Sequence, residues 1–138
     1  MKGSQKSNPT RREFLKTMGF VSIGFPLFGN FTINERLEGE DLPGSLRDYS
    51  KINAWLEVLE DNRVRIFTGK MELGQGIQTA IMQVAAEELS MDMALVEIVM
   101  ADTERTPNEG YTAGSRSVET SAIAVRYAAA AAREKILE

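Results

Sequence analysis

Asn53-Ala-Trp-Leu-Glu-Val-Leu-Glu-Asp-Asn-Arg-Val-Arg-Ile-Phe-Thr68 is the stretch that decides the fold. Ala54, Leu56 and Val58 fall on one face of a strand. Asp61-Asn62 is a two-residue turn pair. Arg63 to Thr68 then alternates, with Val64 and Ile66 inward and Arg63 and Arg65 outward. Two alternating runs around Asp-Asn predict a β-hairpin. Outward from it, Gly69-Lys-Met-Glu-Leu-Gly-Gln-Gly76 is a Gly-rich loop. Ile77, Ile81, Val84, Ala85 and Leu89 then predict a helix over about 77–89. Val96–Met100 reads as a third strand. A polar loop spans Asp102 to Ser117. The last helix is expected to start near Ser117 as N-cap, with Glu119 in its first turn. Its apolar stripe is Val118, Ala122, Val125, Ala129, Ala132 and Ile136. The order β-β-α-β-α predicts an α+β class, with two helices covering one face of a small sheet. Arg133–Glu138 keeps helical character to the last residue, without a Gly, Asn or Pro stop signal.

Composition excludes much chemistry. The 138 residues contain no Cys and no His. That removes disulfides, thiolate metal sites, thiol nucleophiles and every His-based catalytic dyad or triad. Any catalysis must rest on carboxylates, backbone amides, Lys, Tyr or a bound cofactor. Charge is uneven. In residues 1–16, Lys2, Lys6, Arg11, Arg12 and Lys16 against Glu13 leave a net of +4. Residues 17–138 carry 11 basic and 19 acidic side chains, a net of −8. A body of that sign argues against nucleic acid as a partner.

The basic arm has another reading. Thr10-Arg-Arg-Glu-Phe-Leu-Lys16 precedes an uncharged, mostly apolar run of 14 residues, Met18–Phe31. The run is shorter than the roughly 20 residues of a membrane-spanning helix. The arrangement resembles a twin-arginine export signal. That resemblance implies the twin-arginine export machinery as a partner. It also implies a periplasmic location, or a membrane-associated one on the periplasmic side. Residues 1–31 are accordingly a signal segment, 32–52 a polar linker with a turn at Pro43-Gly44, and 53–138 the folded part.

Two loops each lead into a helix. Gly69-x4-Gly74 has the first spacing of a phosphate-binding loop but lacks the following Lys-Ser or Lys-Thr. Gly74-Gln-Gly76 nearly matches a dinucleotide fingerprint, yet Thr79 stands at the third Gly. What remains is physical. Gly74 and Gly76 permit a sharp turn and close approach. The helix beyond them should present free N–H groups and a partial positive charge. Gln75 brings one acceptor and two donors. Tyr111-Thr-Ala-Gly-Ser-Arg-Ser117 repeats the arrangement with small hydroxyl side chains. Together the loops suit one polyanionic, hydrogen-bond-rich ligand, or they are ordinary turns and caps. Glu72 and Glu109 are the local carboxylates. Carboxylates on loops are usually solvated, so neither is named as a base.

Four ordered blocks carry a family likeness: Gly69–Ala80, Gln83–Leu89, Ala101-Asp-Thr-x-x-Thr-Pro-Asn108 and Thr112-Ala-Gly-Ser-x-Ser117. The chain resembles the molybdopterin-binding large subunit of the xanthine dehydrogenase/aldehyde oxidase family, in its isoquinoline 1-oxidoreductase β-subunit form. The resemblance implies a cofactor, molybdopterin cytosine dinucleotide, contacted by Leu73, Gly74 and Gln75, with Gly76 shaping the turn. It implies further contacts from Thr112, Gly114, Ser115 and Ser117, with Gly114 against the molybdenum centre. It implies oxidative hydroxylation of an N-heterocycle or aldehyde carbon with water as oxygen source. Electrons would leave through an iron–sulfur small subunit or a cytochrome. Such subunits run to several hundred residues, and their base and substrate pocket match no segment here. The expectation is therefore the N-terminal part of a molybdenum hydroxylase subunit, with no catalytic or metal-ligating residue of its own and no activity alone. An exported, non-catalytic binding module of the same fold unit is the alternative.

Overall fold

The computed structural model describes residues 32–33, 42–113 and 116–137. The signal segment expected over 1–31 lies outside them, as do Gly114 and Ser115. Three strands form one sheet in the order β1-β2-β3: Leu56–Val58, Val64–Thr68 and Val96–Met100. β1 and β2 are the expected hairpin, antiparallel with Leu56 opposite Ile66. β2 and β3 are parallel, with Val64 opposite Val96. A parallel pair needs a crossover, and helix α2, Ile77–Glu88, supplies it. α1 is the short helix Gly44–Asp48, and α3 is Ile123–Leu137.

Alternation explains the two faces of the sheet. Val64 and Ile66 are fully buried. Between them Arg65 points away and lies in one row with Glu57 of β1 and Glu97 of β3. Its Nη2 and Nε donate to Glu97 Oε2 at 3.0 and 3.1 Å. Arg63 Nη1 also reaches Glu97. These half-buried pairs remain in contact with water, where ion pairs contribute about 0–1 kcal/mol each, so they fix register more than stability. The other face packs against α2 and α3. Ile77, Ile81 and Ala85 of α2 are buried there, with Ala124, Val125, Ala128, Ala129 and Ala132 of α3. The small alanines let the two helix backbones lie close.

Three expectations need correction. The strand drawn from Asn53 is shorter, because Ile52–Ala54 forms a 3-10 turn. Trp55 then enters the core fully buried, its indole N–H donating to Tyr49 O at 2.8 Å. Leaving that donor without a partner would cost about 1–3 kcal/mol. Next, the described part of 32–52 is no linker. Pro43-Gly44 opens α1 instead of a free turn, and Ile33, Leu46 and Ile52 belong to the core. Polar composition hid three apolar anchors spaced far apart. Finally, Ser117 is no N-cap. It is helical at φ −64°, ψ −36°, with no capping hydrogen bond. A π-helical turn, Val118–Ala122, precedes α3. Its wider turn shifts the stripe, so Ser117 and Ser121 are buried and Val118 is 51% exposed. Among the described residues no helix is long and apolar enough to cross a membrane.

Candidate functional site

Because β2 and β3 are parallel, their C-terminal ends lie side by side. The loop 69–76 leaves the first and the loop 101–117 leaves the second. Ligands of open sheets with parallel strands collect at such ends. Side chains then join the loops. Glu109 Oε2 accepts from Thr68 Oγ1 at 2.6 Å and from the Gly69 N–H at 2.8 Å. Lys70, only 5% exposed, donates from Nζ to Glu109 O at 2.8 Å and more weakly to Tyr111 O at 3.4 Å. Thr112 Oγ1 accepts from the Met71 N–H at 2.8 Å. At Gly69 any Cβ would sit 2.2 Å from Pro107 O, so only glycine allows this approach.

The first loop holds its own shape. Gly74 and Gly76 have φ of 93° and 78°, the left-handed region that glycine alone enters freely. Glu72 Oε1 accepts from the N–H groups of Gly74 and Gly76 at 2.7 and 3.0 Å. Its Oε2 accepts from Gln78 N–H at 2.9 Å. The bond from Gln78, then that from Gly76, holds the Glu72 carboxyl below the usual glutamate range. Gln75 closes the other side, accepting from Leu73 N–H at 2.6 Å and donating to Met71 O at 3.0 Å.

Two expectations change here. The N–H groups of Gly76 and Gln78, expected to be free at the helix start, are held by Glu72. The carboxylates of Glu72 and Glu109 are not free loop charges; Glu72 gathers three backbone N–H groups, and Glu109 the Thr68 hydroxyl and the Gly69 N–H. Leu73 projects from the loop tip, 66% exposed. Gln75 has spent its acceptor and one donor inside the loop. Thr112 faces the first loop and binds it. Sequence reasoning missed Lys70, Glu72 and Glu109 as parts of the assembly. The position of Glu72 just ahead of Gly-Gln-Gly and a helix was a usable signal, since acidic groups favour helix N-termini. Nothing local signalled Lys70 or Glu109, whose partners lie 39–41 residues away.

The second loop is less satisfied. Ser117 Oγ and Ser121 Oγ are buried without a hydrogen-bond partner, as are Glu109 Oε1 and Ser45 Oγ. An open cleft of about 410 Å³ runs beside it, lined by Ser45, Lys70, Glu109, Tyr111 and Arg116. No cluster of metal-ligating side chains occurs among the described residues.

Comparison with known proteins gives this geometry a family. The family of molybdopterin cofactor-binding domains matches residues 4–138. One of the subunits of the nicotinate dehydrogenase of Pseudomonas putida is 43% identical over 84 residues, covering 61% of this chain and 7% of that protein. The gamma subunit of the 6-hydroxypseudooxynicotine dehydrogenase complex of Paenarthrobacter nicotinovorans is 40% identical over 80 residues, covering 58% and 10%. Aldehyde oxidase 4 of Rattus norvegicus is 35% identical over 80 residues, covering 58% and 6%. The chain thus spans a tenth or less of the length of these relatives. No solved structure matches. With a family match over nearly its whole length, the chain belongs to the molybdopterin cofactor-binding domains of the xanthine dehydrogenase/aldehyde oxidase family.

Proposed function

We propose that this chain supplies two cofactor-binding loops to the large subunit of a molybdenum hydroxylase. The observation that carries the reading is the bracing of the two loops at adjacent parallel strand ends, with Met71 bonded to Thr112. The residues fit such a cofactor. Pterin and phosphates need donors, and the second loop ends in a helix with the buried, unpartnered hydroxyl of Ser117. Arg116 lines the cleft beside it. Leu73 offers an apolar contact at the tip of the first loop. Leu73, Gly74, Gln75 and Gly76 would meet the cofactor from one side. Thr112, Gly114, Ser115 and Ser117 would hold it from the other.

When bound, the group supplies oxidative hydroxylation of an N-heterocycle or aldehyde carbon with water as oxygen source. This chain's residues bind and orient. Glu72 and Glu109 are braces of the loops and are assigned no proton transfer. The cytosine dinucleotide form of the cofactor, electron transfer to an iron–sulfur subunit or cytochrome, and N-terminal placement in a longer subunit complete the proposal. The dehydrogenase and oxidase names of the relatives support it.

The test is the protein purified in its native assembly. Molybdenum by mass spectrometry, pterin by oxidation to a fluorescent product and CMP released by acid hydrolysis are the expected results. Absence of both molybdenum and pterin overturns the reading. For export, the double change Arg11→Lys and Arg12→Lys should hold the protein in the cytoplasm. Unchanged export would remove the twin-arginine route.

A further inference from the structure

Helix α2 begins at an amide nest that looks made for a phosphate, yet the chain fills it itself. The N–H groups of Gly74, Gly76 and Gln78 converge on the two oxygens of Glu72 at 2.7–3.0 Å. Both glycines are left-handed, and at neither would a Cβ meet anything within 4 Å. Space therefore does not impose the turn. Glycine permits many other conformations, so something must select this one. A carboxylate drawing in three backbone donors does so, and Gln75 locks the opposite side. With the turn set, Leu73 is driven to the exposed tip.

We infer that Glu72 is a positioning residue: its carboxylate occupies the amide nest at the start of α2 and holds the Gly74–Gly76 turn in the shape that meets the cofactor. This rests on the cofactor reading above. It follows that the anionic part of the cofactor is not taken by the N-terminus of α2. The opposite idea, a placeholder carboxylate that yields the nest to a cofactor phosphate, predicts effects of opposite sign.

Glu72→Ala and Glu72→Gln are compared in the native assembly, measuring molybdenum and pterin per folded protein. Hydrogen exchange of the amides in residues 71–80 is followed in the same samples. Loss of Glu72 should lower cofactor content by about tenfold or more, the usual size for a residue that orients a metal group's contacts. Protection of the Gly74, Gly76 and Gln78 amides should fall with it, by roughly tenfold, the worth of a net hydrogen bond. Glu72→Gln keeps one acceptor, the one serving Gly74 and Gly76 if oriented as in the parent, and should restore part of both. Equal or higher cofactor content in Glu72→Ala overturns the inference and favours the placeholder. Unprotected amides in the parent protein also overturn it. A parent protein without molybdenum or pterin overturns the cofactor reading itself, which separates that failure from this one.

Discussion

The two loops are built on one plan, strand to glycine-containing loop to helix, yet they end in opposite states. In the first, residues 69–76, Glu72 and Gln75 satisfy the backbone locally. In the second, residues 101–117, turns are local but the end is not. Asp102 Oδ1 accepts from Glu104 and Arg105 N–H at 3.0 and 3.2 Å, and Asn108 Oδ1 from Gly110 N–H at 3.1 Å. Beyond them, Ser117 and Ser121 bury hydroxyls without partners. Buried polar groups are ordinarily hydrogen-bonded, so these two hydroxyls are exceptions. Ser121 lies within the π-helical turn and Ser117 just before it, while their neighbours Arg116 and Thr120 line the cleft. One loop satisfies its own backbone, and the other ends in buried hydroxyls without an internal partner.

Four single substitutions and a change of pH would break or sharpen that contrast. The largest effect belongs to the contact between the loops. Gly69→Ala must move the Pro107 carbonyl, and overpacking costs typically about 1–3 kcal/mol, with the upper end expected where the obstacle is backbone. Denaturant unfolding should show it, and an unchanged midpoint would mean the loops do not touch in solution. Glu109→Ala comes next. It leaves the buried Thr68 hydroxyl and the Gly69 N–H without their acceptor, worth about 1–3 kcal/mol. A double-mutant cycle with Thr68→Val, which also removes the acceptor of the Lys70 N–H, should show coupling between positions 68 and 109.

Gly76→Ala tests the first loop alone. No atom obstructs the new Cβ, so only the left-handed backbone opposes it, at about 1–2 kcal/mol. Acid tests the same loop differently. The carboxyl of Glu72 is held below its unfolded value, which is about 4.3. Its contribution is therefore full above that value and is lost as the pH falls through the lowered folded value. Protection of the Gly74, Gly76 and Gln78 amides, relative to the intrinsic exchange rate at each pH, should fall in that acid window. Unchanged protection down through it would argue against the carboxylate bonds. The smallest effect on stability is expected from Ser117→Ala, within about 0.5 kcal/mol because no internal bond is lost. Its effect on cofactor retention should be far larger than that on folding. A strongly destabilised Ser117→Ala would mean that the second loop satisfies itself too.

Legibility followed range along the chain. The period of two in 53–68 was enough for the hairpin, since Val64 and Ile66 alternate with Arg63 and Arg65. Val96–Met100 and the helix from Ile77 read equally well from local pattern. Thr112 and the Gly-Gln-Gly block were legible as loop positions, though not their mutual bonding. Val118 was misplaced because a regular helical period cannot anticipate a widened turn. Residues 32–52 were misread because Leu46 and Ile52 find their core partners only when the sheet and α3 are assembled.

By itself, then, the sequence determined the order of strands and main helices from the hairpin onward, the glycines at the turns and the family to which the chain belongs. These depend on local backbone preference, hydrophobic period and ordered motifs, all written within short windows. Only the tertiary structure decided that β2 and β3 run parallel and bring both loops to one end. Only it showed Glu109 and Lys70 reaching across about 40 residues of chain to fasten them. It also decided that Glu72 occupies the helix N-terminus while Ser117 stays unsatisfied. Hydrogen bonds are short-ranged and directional, so which donors meet which acceptors is set by the fold in space, and residue types alone cannot specify it.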